Sequence, residues 1–176
     1  MKTKNLVALS LLVGIGAVLH AVIPPIFLGM KPDMMVAMMF LGIILFPEVK
    51  SVLLISLVTG VVSAMTTGFP GGQIPNIIDK PITAFVFFGL FLALGKYRNS
   101  IISVAVLTAI GTMISGFVFL TAATLVAGFT GPIFALFGTV VLPTAAVSTI
   151  AMIILYPVAL SVVKRTKLST PTAISK

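Results

Sequence analysis

GFPGGQIPNIIDKPITAF, residues 68–85, places an acid, a base, two carboxamides and three prolines between two long apolar runs. Polarity of this density is ordinary in a soluble loop and unusual between segments of membrane-spanning length. The flanks decide which case applies. Upstream, VLLISLVTGVVSAM (52–65) carries no charge, and downstream ITAFVFFGLFLALG (82–95) carries none either. Over all 176 residues 59% are hydrophobic and 8% charged, a balance that soluble domains rarely reach, so the chain is an integral membrane protein by composition. A spanning helix takes about 20 apolar residues, which leaves room for about six spans and short loops.

Working outward from that stretch, proline, glycine and charge divide the apolar sequence into helices expected near 5–23, 33–46, 51–67, 80–95, 100–127 and 140–163. The expected architecture is all-α: six transmembrane helices in one domain over 1–168, followed by a short cytoplasmic tail at 169–176. The first run follows Lys2 and Lys4 as a signal peptide would, but His20 to Pro24 is a poor small-residue cleavage site, so a retained helix is expected. The apolar segment 128–141, broken by Gly131-Pro132, is expected to dip part-way into the membrane.

Charge then orients the chain. With both termini in the cytoplasm, the inner segments hold Lys2, Lys4, Lys50, Lys96, Arg98, Lys164, Arg165, Lys167 and Lys176. The outer segments hold only Lys31 and Lys80, which satisfies the positive-inside rule. A multi-pass protein of a bacterial cytoplasmic membrane is the expectation. The net charge of +8 is spread along the chain with no aromatic platform alternating with it, so nucleic acid is not an expected partner.

Several chemistries lack their residues. Cysteine is absent and histidine occurs once, so no metal site is expected. There is no G-x-x-x-x-G-K-[ST] phosphate loop, no H-E-x-x-H and no G-x-S-x-G, so the chain is expected not to be an enzyme.

Two readings compete for the polar stretch. In one, Pro81 starts the fourth helix, Asp79 caps it, Lys80 snorkels to headgroups, and Gln73 and Asn76 close a turn. In the other, the same residues hold a zwitterion, with Lys80 or the helix N-terminus on its carboxylate and Asp79 or the Asn76 carbonyl on its ammonium. A second outer loop, FLGMKPDMM (27–35), offers Lys31 and Asp33 beside Pro32, with Asp33 also placed to cap helix two, and His20 lies near the same boundary. Phe85 and Phe88, one face of helix four, are candidates to stack on a flat ring, as are Phe117 and Phe119. The Met-rich run 34–39 fits either a pocket lining or gap-filling. Small residues at four-residue spacing, Ser10 and Gly14 among them, allow close helix approach within the bundle or by a partner.

Three segments carry a family resemblance: HAVIPPIFLGMKPDMM (20–35), GGQIPNIIDKP (71–81) and VLPTAAVSTIAMIILYP (141–157). Together they resemble the bacterial tryptophan transport proteins, which look like the membrane substrate-binding (S) components of energy-coupling factor transporters. The resemblance implies an S-component-like bundle with a ligand site toward the outer face, closed by the loops after helices one and three. It implies L-tryptophan as ligand and, as partners besides the lipid bilayer, a coupling transmembrane subunit and two ATPase subunits. Those separate subunits would use ATP, and no cofactor is implied in this chain. It also places Ser10 and Gly14 at the position where such proteins dock their coupling subunit. The competing expectations are a solitary tryptophan carrier driven by an ion gradient and a membrane scaffold protein.

Overall fold

Apolar runs in a bilayer must satisfy their own backbone, and helices do so within one segment. The computed structural model describes residues 3–24, 32–98 and 100–165, and among them every regular element is helical. Helix α1 is Thr3–Val22, α2 Met34–Leu45, α3 Val49–Thr66, α4 Gln73–Ala93 and α5 Ile101–Val126. A short α6, Ile133–Leu136, runs through a π turn, Phe137–Val141, into α7, Leu142–Arg165. Among the described residues five stretches are long and apolar enough to cross a membrane: 3–22, 49–66, 73–93, 101–126 and the continuous 133–165. Their outward faces carry Leu11, Leu53, Val106 and Ile154, all exposed, which is the surface that lipid tails solvate. Lys31 and the tail at 169–176 lie outside the described residues.

The sixth helix differs in kind. Helix α2 has 12 residues and every one is buried. At about 1.5 Å per residue it rises about 18 Å, well under a hydrocarbon core of about 30 Å. It touches α1, α3, α4, α5 and α7, so its environment is protein on all sides. Phe40 of α2 stacks on Phe87 of α4 with centroids 3.9 Å apart and planes 3° from parallel. Gly111 on α5 makes room for that stack, since a Cβ there would lie 2.7 Å from Phe87 and 2.8 Å from Phe40. Met35, Met38 and Met39 belong to the same core, so the Met-rich run fills gaps between helices, as a flexible thioether does well.

Two boundaries depart from expectation. Helix α4 starts at Gln73, about two turns before the expected position near residue 80, which places most of the polar stretch on a helix. Pro75 lies in the first turn, where its missing N–H is no loss, and Pro81 is tolerated inside the helix although it has no N–H for the Ile77 carbonyl. Asp79 is therefore not an N-cap. Nor does Lys80 snorkel, for it is 1% exposed. The tight turn from Thr67 to Gly72 that precedes α4 needs Gly71, whose φ of 72° is costly for residues with a Cβ. The second departure is at the other end, where the segment expected to dip is helical from Ile133 onward and continuous with α7. By contrast Asp33 caps α2 as expected, its Oδ1 accepting the Val36 N–H at 3.3 Å.

Candidate ligand-binding site

Starting α4 early turns Asp79 and Lys80 inward. The Lys80 ammonium lies 2.7 Å from Asp79 Oδ2 and 2.7 Å from Asp33 Oδ2, bridging the head of α2 to α4. Asp79 is enclosed: Oδ1 accepts from the Thr83 hydroxyl at 2.7 Å, and Oδ2 accepts from Ser115 of α5 at 2.8 Å as well as from Lys80. Its exposure is 0%, whereas the Asp33 side chain retains 25%. His20, near the end of α1, brings Nδ1 to 3.9 Å from Asp33 Oδ1. Two acids thus share one buried ammonium. The more accessible acid is Asp33.

These groups form one side of a cavity of about 130 Å³. Its polar lining comes from His20, Asp33, Asn76, Asp79 and Lys80, extended by the hydroxyl-bearing residues Ser63, Thr67, Thr112, Ser115 and Thr144. Asn76 is itself fixed, its side-chain amide donating to the Gly72 carbonyl at 2.8 Å. The apolar lining has different sources: Phe119 and Leu120 on α5, then Leu136, Val140 and Val141 on the helix running from α6 into α7. The α3–α4 turn adds Phe69, which meets Phe119 edge-on at 5.3 Å and 81°, and also meets Phe129 at 5.0 Å. An engineered apolar cavity of about 150 Å³ accepts benzene, so this space is on the scale of a single aromatic ring. It has a charged end and an apolar end.

Most, but not all, of the expected site residues meet here. His20, Asp33, Asn76, Asp79 and Lys80 line the one cavity, although they come from two separate helices, α1 and α4, and the N-cap of α2. Gln73 is exposed at the start of α4 and is absent from the lining. Phe85 faces outward at 40% exposure, and Phe88 packs against the central core, so neither ring borders the cavity. Phe117 also faces outward, whereas Phe119 borders it. Lys31 falls outside the described residues. Ser10 and Gly14 are exposed on α1, in a shallow groove with Leu11, Ile15 and Val18 on the membrane-facing surface. Phe69, Ser63, Ser115 and Thr144 are lining residues that the sequence did not single out, and the signal available for the last three was a hydroxyl within an otherwise apolar span. Among the described residues no group of His, Asp and Glu could hold a metal ion.

Apolar membrane-length helices around a cavity with one charged and one apolar end define a multi-pass membrane protein with an amphipathic internal cavity. The family model described as "Tryptophan transporter TrpP" matches residues 2–164, and the chain belongs to that family. It is 57% identical over 165 residues to a "Probable tryptophan transport protein" of Bacillus subtilis (strain 168), covering 94% of this chain and 95% of that protein. A protein of the same description from Clostridium acetobutylicum is 40% identical over 159 residues, covering 89% and 91%, and one from Clostridium perfringens (strain 13 / Type A) is 36% identical over 176 residues, covering 94% and 96%. These relatives are transport proteins, in agreement with the expectation that the chain is not an enzyme. No solved structure matches it.

Proposed function

We propose that this chain takes up L-tryptophan across the bacterial cytoplasmic membrane as the substrate-binding S component of an energy-coupling factor transporter. In this reading the protein has six spans, with α2 as the short enclosed one, and both termini in the cytoplasm. The observation that carries the ligand assignment is the placement of Lys80 between Asp33 and Asp79 at the wall of a cavity whose other wall is aromatic and aliphatic. An amino acid with a large apolar side chain has the same division.

The two carboxylates take different parts. Asp79 already accepts from Lys80, Thr83 and Ser115, so it positions the ammonium and has little capacity left for a ligand. Among the described residues Asp33 has Lys80 and a long bond from Val36 on its oxygens, with His20 further off, and it is the more exposed acid. A zwitterion entering the cavity inserts into the Asp33–Lys80 pair, its carboxylate on Lys80 and its ammonium on Asp33. Each charge then exchanges one partner for another of the same sign, which limits the cost of opening a buried pair. The ring end lies against Phe69, Phe119, Leu136, Val140 and Val141.

Energy comes from separate subunits. The groove over Ser10 and Gly14 supports a docking role for α1, because small residues let a partner helix approach closely. Uptake of radiolabelled tryptophan into proteoliposomes, with and without the coupling subunit and the two ATPases, tests the reading. Binding by the isolated chain with uptake only in the presence of the ATP-driven module is expected. Uptake on a proton gradient alone would make the chain a solitary carrier. Absence of tryptophan binding would leave a scaffold role.

A further inference from the structure

A threonine in an apolar helix ordinarily folds its hydroxyl back onto the carbonyl four residues earlier. Thr108, Thr112, Thr124 and Thr149 all do so here, at 2.7 to 3.0 Å. Thr144 does not. It is 7% exposed, it borders the cavity, and its Oγ1 has no hydrogen-bond partner among the described residues. It stands on the first turn of α7 just after the π turn Phe137–Val141, a departure from α geometry that recurs at functional sites. Three other buried hydroxyls, on Thr59, Ser63 and Ser148, also lack partners, but of these only Ser63 borders the cavity.

The two cavity hydroxyls serve different ends. Ser63 lies one turn from Gly60, whose Cβ position is 3.4 Å from the Asn76 carbonyl and 3.5 Å from the Lys80 side chain, so it belongs with the charged end. Thr144 shares its helix with Leu136, Val140 and Val141, and is the one polar residue that helix gives to the cavity. An acceptor placed alone in an aliphatic wall selects a ligand that has a lone donor on an otherwise apolar body. Indole is such a group, with one N–H and no acceptor.

We propose that Thr144 Oγ1 accepts the indole N–H of tryptophan and sets the preference for tryptophan over aromatic amino acids without that donor. This rests on the tryptophan reading above and adds the residue that reads the ring. A site built to bond a ligand N–H discriminates against an analogue lacking it, because a buried polar group is then left without its partner. With no partner among the described residues, the Thr144 hydroxyl keeps its lone pairs for the ligand.

The test compares L-tryptophan with 3-benzothienyl-L-alanine, in which sulfur replaces the N–H at nearly constant shape, by calorimetric titration of the purified full chain. The parent is expected to prefer tryptophan by about three- to tenfold, the range for one neutral hydrogen bond. Thr144→Val should remove that preference by weakening tryptophan alone, while Thr144→Ser, which keeps the acceptor, should retain it. Equal affinity of the parent for the two ligands overturns the proposal without any variant, and so does a Thr144→Val protein that weakens both ligands equally or neither. A parent that binds neither ligand overturns the tryptophan reading itself, and the assignment of Thr144 with it.

Discussion

The ammonium of Lys80 on α4 lies 2.7 Å from the carboxylate of Asp33 at the head of α2, although all of α2 and α3 separates them in sequence. The ion pair thus joins the helix at the centre of the bundle to the helix that carries most of the polar site. Asp33→Asn should weaken tryptophan binding by about tenfold or more, since a hydrogen bond to a charged group contributes on the order of 1.5–3 kcal/mol. Titration with indole-3-propionate, which lacks the ammonium, should show a much smaller loss. Equal losses for both ligands would place Asp33 outside the ammonium site.

Asp79→Asn should behave differently, lowering the thermal stability of the purified protein more than Asp33→Asn does. The reason is its enclosure: at 0% exposure it holds Lys80, Thr83 and Ser115 together, and disturbing a buried acceptor with three donors costs on the order of 1–3 kcal/mol. Thermal unfolding in detergent measures it. An Asp79→Asn protein as stable as the parent would mean that the cluster is not held through this carboxylate.

Gly14→Leu should leave tryptophan binding by the isolated chain unchanged and reduce ATP-driven uptake. Among the described residues nothing lies within 4 Å of a Cβ at Gly14, so the protein has space for the side chain, while a docking partner does not. Normal uptake by the reconstituted complex would remove α1 as the docking face.

Single cysteines report topology cleanly because the chain has none of its own. Gly68 is exposed with no described residue near its Cβ position, and Lys96 is exposed at the opposite end of α4. Gly68→Cys should react with an impermeant thiol reagent in intact cells and Lys96→Cys should not. The reverse pattern would invert the orientation.

Gly111→Ala should destabilise by about 1–3 kcal/mol, as overpacking of a filled core does, because the added methyl meets both rings of the Phe40–Phe87 stack. A shift in the unfolding temperature measures the effect, and pairing the change with Phe40→Leu should recover part of it.

Much of the helical architecture was legible because apolar run length is a local property of the sequence. The start of α4 was not. Pro81 resembles a helix opening, and only the packing of Asp79 and Lys80 against Asp33 and Ser115 makes the earlier, proline-containing start favourable. The apolar end of the cavity was harder still, since in a bilayer the outward face of a helix is as apolar as the inward face. Periodicity therefore could not separate Phe85 and Phe117, which face outward, from Phe119, which lines the cavity. Polar residues escape this ambiguity because lipid does not tolerate them, which is why His20, Asp33, Asn76, Asp79 and Lys80 could be picked out and the hydrocarbon lining could not.

The complete burial of α2 has a consequence for how the protein is made. A segment of 12 residues rising about 18 Å is too short to hold a stable position in the bilayer by itself, and it leaves the ribosome before α4, α5 and α7 exist to surround it. Its Asp33 likewise emerges long before the ammonium that will pair with it. Insertion of this chain is for that reason not a sequence of independent helical entries. The enclosure of α2 is completed only once α4, α5 and α7 have followed it.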